Sequence, residues 1–198
     1  MLYEDFIEMV SVYTEPVLLL EGKRKVPGDI AAKMANLTAK LAIDTDSIFR
    51  SGNAPGTDRA FMSEVRKLVP HRCEYIIPFL GHYPNSIPDE SAVHYPDELS
   101  PDEILDIKYH INAACPERSL LIKNYRQGYH NTGNVKSLYF IRNTMKVMGA
   151  ASLSLDIPQY AIMYDDRDKP MEGGTGFTIK MCRYLNIMVI LQNDWLYW

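Results

Sequence analysis

The sequence predicts a doubly wound α/β domain: a mainly parallel five-stranded sheet, helices on both faces, and a helical insertion before the fourth strand. Three observations predict it. The run Val17-Leu18-Leu19-Leu20 is uninterruptedly apolar, as in a strand buried on both faces of a parallel sheet. Short apolar segments alternate with helix-periodic ones through residues 16–77, a βαβαβ rhythm. Two glycine turns each stand where a short apolar segment passes into a helical one.

The elements follow in order. Pro16 to Glu21 reads as the first strand, ending at Gly22. Gly28 to Ala42 carries Ile30, Met34, Leu37 and Leu41 at helical spacing. Ser47-Ile48-Phe49 is a second strand. Thr57 to Leu68 is a helix with Phe61, Val65 and Leu68 on one face, and Glu74 to Ile77 is a third strand stopped by Pro78. Residues 79–158 are read as an irregular and helical insertion. Pro84, Pro88 and Pro96 break the stretch 79–100. Ser100-Pro101-Asp102-Glu103 has the form of a capping box and opens a helix over 101–114. Further helices are expected over 116–127 and 134–149, the latter ended by Gly149. Tyr160 to Tyr164 is the fourth strand, Thr175 to Leu185 a helix, and Ile187 to Leu191 the fifth strand.

Bulk properties narrow the function classes. With 198 residues and 46% apolar composition, one domain spanning 1–198 can bury a core. The net charge of −4 argues against a wholly electrostatic nucleic-acid binder. Cys73, Cys115 and Cys182 are odd in number and widely spaced, so neither a zinc knuckle nor a disulfide framework is indicated. The five histidines lack H-x-x-x-H spacing. No structural metal and no separate cofactor are expected. The N-terminus MLYEDFIEMV lacks a basic start and apolar run, and no apolar stretch reaches membrane-spanning length, so a cytoplasmic protein without membrane contact is expected.

The glycine turns carry the chemistry. A helix opened by glycine presents unpaired backbone N–H groups to an anion. In the first turn, Ser51-Gly52-Asn53-Ala54-Pro55-Gly56-Thr57-Asp58, Gly52 and Gly56 permit unusual backbone angles or close ligand approach. Ser51 and Thr57 add hydroxyls. Asp58 either caps the helix or binds a ribose hydroxyl or base edge. In the second turn, Gly173, Gly174 and Gly176 surround Thr175, with Thr178 facing the same end, and phosphate is the expected guest. Both turns leave strands at the carboxyl end of the sheet, as does the first strand into Gly22-Lys23-Arg24, where open α/β sheets bind ligands.

The stretch Ser51 to Phe61 resembles the S-G-G-A-x-G-A-D-x-A-F signature of the Rossmann-like SLOG superfamily, which includes the DNA-processing protein A family and the cytokinin-activating phosphoribohydrolases. Arg142-Asn143, and Gly173-Gly174-Thr175-Gly176 with Ile179-Lys180, resemble its bacterial and phage branch, and the likeness runs over about residues 16–193. The resemblance implies a pocket for a nucleotide or nucleotide-derived molecule, shaped by Ser51, Gly52, Gly56, Asp58, Arg142, Asn143, Gly173, Gly174, Thr175, Gly176 and Thr178. It also implies a homodimer. Two departures stand out. Asn53 replaces the second glycine of the signature, although Asn also tolerates left-handed geometry. Lys180 falls where the phosphoribohydrolases carry their catalytic glutamate, and a lysine cannot stabilise the cationic sugar formed as an N-glycosidic bond breaks.

The expected function is therefore binding of a nucleotide-like small molecule at the joined loops, with hydrolysis of a glycosidic or phosphate bond left open and no catalytic residue assigned. Gly173 to Thr178 would hold phosphate, Asp58 and Asn143 would meet sugar or base, and Lys23 or Arg142 would offset charge. Asp58, Asp165, Asp166 and Glu172 are the carboxylates that could replace the missing glutamate. The alternatives are a single-stranded DNA-binding protein resembling DNA-processing protein A and a non-catalytic interaction protein. Asp165-Asp166-Arg167-Asp168 is read as a solvated loop and His130 as a polar loop residue. The 13 tyrosines, Tyr83 among them, are read mainly as packing, and Trp195 and Trp198 as packing on a neighbouring element or subunit.

Overall fold

The computed structural model describes residues 1–82 and 86–198. One open sheet contains six strands: β1 (Val17–Gly22), β2 (Ile48–Ser51), β3 (Cys73–Ile76), β4 (Ala92–His94), β5 (Tyr160–Tyr164) and β6 (Met188–Leu191). Their order is β4-β3-β2-β1-β5-β6 and every pairing between these strands is parallel. From β1 the chain steps outward to β4, then crosses to the other side of β1 for β5 and β6. The order reverses between β1 and β5, and in such sheets the carboxyl ends of the strands at the reversal border an open crevice.

Eight α-helices occur among the described residues: α1 (Tyr3–Val10), α2 (Gly28–Asp44), α3 (Thr57–Leu68), α4 (Pro101–Ala114), α5 (Ser119–Lys123), α6 (Thr132–Met148), α7 (Gly173–Tyr184) and α8 (Gln192–Trp195). The alternation of strand side chains sorts them into two layers. Leu19, Ile76, Ala161 and Met163 face a core shared with α4, α5, α6 and α7. Leu18, Leu20, Tyr75, Ile77, Ile162 and Tyr164 face the other, shared with α1, α2, α3 and α8. The fully buried Val17–Leu20 run thus feeds both cores. No helix among the described residues is long and apolar enough to cross a membrane.

The sheet has six strands where the sequence predicted five. The additional one, β4, lies in the stretch read as irregular. Its three residues Ala92, Val93 and His94 are exposed or half-buried, with Pro88 and Pro96 on either side. An edge strand this short and this wet carries no apolar run to read. Tyr83 and Pro84 lie outside the described residues. The helix expected over 116–127 is a 3₁₀ turn at Pro116–Arg118 followed by the five-residue α5. Asn134 stops it: its side chain accepts from the Arg126 amide at 2.9 Å and donates to the carbonyls of Arg126 and Tyr129, holding 126–129 as a turn.

The capping box of α4 forms as expected, with the Glu103 amide donating to Ser100 Oγ and the Ser100 amide to Glu103 Oε2. Helix α1 was not predicted. It buries Tyr3, Phe6 and Val10, and Trp198 stacks on Phe6 with ring centroids 4.9 Å apart. Trp195 packs edge-on to Phe61 and donates its indole N–H to the Met163 carbonyl. Both terminal tryptophans thus pack within this chain.

Candidate functional site

A cavity of about 640 Å³ opens at the crevice between β1 and β5. Its floor is Glu21, Gly22 and Asp58, at the end of β1 and the start of α3. One side is the first turn of α7, Gly173 to Thr175. A further wall comes from the helical insertion, with Leu121 of α5 and Tyr139, Phe140, Arg142 and Asn143 of α6. Lys23, Arg24, Arg118, Lys136 and Lys169 give it a basic rim, against Asp165, Asp166 and Glu172.

The floor is a buried charge network that ties three elements together. Lys146 of α6, with no exposed surface, donates to Glu21 Oε2 at 2.5 Å. Thr178 of α7 donates to Glu21 Oε1 at 3.0 Å and lies equally close to the Gly174 carbonyl. Asp58 accepts from the Gly22 amide at Oδ1 (3.3 Å) and from the Ala54 amide at Oδ2 (3.2 Å), so it clamps the end of β1 to the first glycine turn. Burial pushes the Asp58 carboxyl above its ordinary range, against the pull of Lys146, with Glu21 adding to the rise and Arg142 opposing it. Burial likewise lowers the Lys146 ammonium, and Glu21 offsets part of that.

Above the floor, polar groups stand without partners. Helix α7 begins at Gly173 with no side-chain cap on its first turn. Its opening amides therefore face the cavity with the positive end of the helix. Arg142 is 6% exposed, yet its Nε and Nη1 have no hydrogen-bond partner among the described residues, nor has Oδ1 of Asn143, which is 5% exposed. Buried polar atoms are normally satisfied, and leaving one unpaired costs about 1–3 kcal/mol. Two adjacent side chains in that condition thus stand beside an open helix start, two N–H donors next to one oxygen acceptor. The guanidinium of Arg142 lies over the Tyr139 ring at 5.7 Å, and that of Arg118 over Phe140 at 5.0 Å.

The first glycine turn is placed differently from the second. Among its residues only Ala54 and Asp58 line the cavity. Ser51 donates to the Leu20 carbonyl. Thr57 donates both its hydroxyl (2.7 Å) and its amide (3.3 Å) to the Lys23 carbonyl, so the start of α3 is closed by protein. Gly56, at φ 91°, packs on the Arg24 backbone. Asn53 adopts the left-handed region at φ 55° and donates to Ser86 Oγ. Gly52 lies beneath Arg142. Of the other predicted residues, Gly22, Lys23, Arg142, Asn143, Gly173, Gly174 and Thr175 line the cavity. Gly176 packs on the Met171 backbone, and Thr178 is one layer down on Glu21.

The acidic loop is occupied with its own structure. Asp165 accepts from the amides of Asp166 and Met171, and Asp166 from those of Asp168 and Lys169 while pairing with Lys23 at 3.5 Å. No group of three or more His, Cys, Asp or Glu among the described residues is arranged to hold a metal ion. Lys180 points outward and pairs with Glu117 at 3.1 Å. His130 lies 2.7 Å from Asp97 and stacks on Phe79. Edge-on to the Tyr139 ring, the His82 imidazole is pushed below its usual value by burial and then by the charges of Arg142, Arg24 and Arg59.

Sequence reasoning missed Glu21 and Lys146. The available signal was a carboxylate closing a wholly apolar strand and a lysine on the core-facing side of α6, four residues after Arg142. It also missed the wall of Leu121, Tyr139 and Phe140. No protein-family model matches the chain, and no curated protein or solved structure matches it.

Proposed function

We propose that this chain is a Rossmann-like domain of the SLOG type that binds a nucleotide or nucleotide-derived phosphate in the cavity between β1 and β5. The observation that carries the reading is the pair of buried, partnerless side chains Arg142 and Asn143 beside the uncapped start of α7. Helix amides and a guanidinium suit a phosphate. The free Oδ1 of Asn143 suits a hydroxyl donor next to it, as on a sugar phosphate. Tyr139, Phe140 and Leu121 give an apolar wall against which a flat ring can rest. The volume suits a molecule of nucleotide size.

The reading stops at binding. Four of the five lining carboxylates are already engaged: Glu21 by Lys146 and Thr178, Asp58 and Asp165 by backbone amides, and Asp166 by its loop and Lys23. A thermal-shift screen of nucleoside mono-, di- and triphosphates and cyclic nucleotides, with chromatography of each hit, tests it. At least one compound at a hundred times its Kd should add about 2.7 kcal/mol of stability. No stabilisation by any phosphate compound would refute the site. Tight binding of an oligothymidylate that weakens steeply with salt would move the reading to single-stranded DNA.

A further inference from the structure

Arg142 shares the cavity with two floor carboxylates, Asp58 and Glu21, and pairs with neither. Asp58 Oδ2 and Arg142 Nη1 flank the same face of Gly52, but they form no ion pair, and Glu21 forms none with Arg142 either. Both acids are satisfied from elsewhere. Glu21 is held by the Lys146 ammonium and the Thr178 hydroxyl, and Asp58 by two backbone amides. Lys146 follows Arg142 by four residues on one face of α6, so the two cations stand about one helical turn apart over the same floor. The floor thus sets two carboxylates against two cations. Only one cation is engaged.

Burying such a pair is poor value as stabilisation. Replacing a buried ion pair with apolar groups of similar size is commonly neutral or better, whereas removing one member strands a charge. The pair has a different use here. With Lys146 absent, Arg142 would be the cation of α6 left to answer Glu21 and Asp58. Its long side chain can turn toward them, and a guanidinium that has closed on a carboxylate is lost to an incoming anion.

We infer that Lys146 is a positioning residue that keeps Arg142 available for the ligand by neutralising Glu21. The inference rests on the phosphate-site reading above. It differs from a purely structural role in one respect: Lys146→Met protein that is folded should still bind phosphate compounds weakly, and removing the charge of Glu21 should restore that affinity.

The test measures binding of adenosine 5′-monophosphate and inorganic phosphate to the full chain by calorimetry and by ³¹P line broadening. The proteins are wild type, Lys146→Met, Glu21→Gln and the double variant. Lys146→Met should weaken both probes at least tenfold. Glu21→Gln/Lys146→Met should return to within about threefold of wild type, with each affinity corrected for the folded fraction read from that variant's melting curve. Wild-type affinity in Lys146→Met, or a folded double variant that binds no better than the single one or more than tenfold below wild type, would overturn the inference while the site reading stands. If wild type binds neither these probes nor any other phosphate compound of the screen, the site reading falls and takes the inference with it.

Discussion

Gly52 and Arg142 occupy one space: a methyl group on Gly52 would lie 1.8 Å from Nη1 of Arg142 and 2.9 Å from Oδ2 of Asp58. The guanidinium reaches the cavity across bare backbone. Gly52→Ala should therefore displace the far end of Arg142 rather than the turn itself. The expected result is at least about a tenfold loss of nucleotide affinity, the scale of one charge-assisted hydrogen bond. Calorimetric titration against the best compound of the screen, with a melting curve for the variant, checks it.

Gly174→Asp places a carboxylate on the first turn of α7. There is room for it, since a Cβ there meets only Asn143 Nδ2, at 3.6 Å. An acid near a helix start is favourable for the helix, so the melting temperature should stay close to wild type. Thermal stabilisation by phosphate compounds should vanish. Unchanged ligand binding would refute the assignment of this turn to phosphate.

Gly56→Ala should damage the fold instead. At φ 91°, an added Cβ would sit 2.0 Å from the Arg24 carbonyl oxygen, a backbone atom that cannot swing away. Left-handed strain and this overlap together should cost about 2–4 kcal/mol. Urea unfolding should show a lower midpoint with little change in slope.

The acid limb of stability should depend on Glu103. Partial burial pushes its carboxyl up. Hydrogen bonds from the Ser152 hydroxyl and amide and from Ser100 outweigh that and hold it at about 2. A carboxyl depressed on folding binds fewer protons in the folded than in the unfolded chain. Its contribution is present above the ordinary glutamate value and is lost as pH falls towards 2. Glu103→Gln should lower stability at pH 6 and flatten the decline between pH 5 and 2, as read from urea midpoints across that range. An acid limb of unchanged steepness would count against it.

Much of the architecture was legible because it rests on local pattern. Val17–Leu20 has the pattern of a strand buried on both sides, and Ile30, Met34, Leu37 and Leu41 the spacing of one face of a helix, and both elements form. Strand β4 escaped because three exposed or half-buried residues owe their conformation to the neighbouring β3 rather than to their own side chains. At the site, glycines announced the start of α7, and the first turn was marked just as clearly. Nothing local said that the Lys23 carbonyl would close the helix after the first turn while the second stayed open. Glu21 and Lys146 are 125 residues apart, and their meaning exists only once α6 lies across β1.

The sorting of helices into two layers has a mechanical consequence. Asp58 comes from α3, on one face of the sheet, and Arg142, Asn143 and Gly174 come from α6 and α7, on the other. A ligand that bridges them works as a rivet through the edge of a laminate. Its grip should be felt far from its own atoms, as slower amide exchange in both half-cores at once, and a guest that touched only one wall would slow only one.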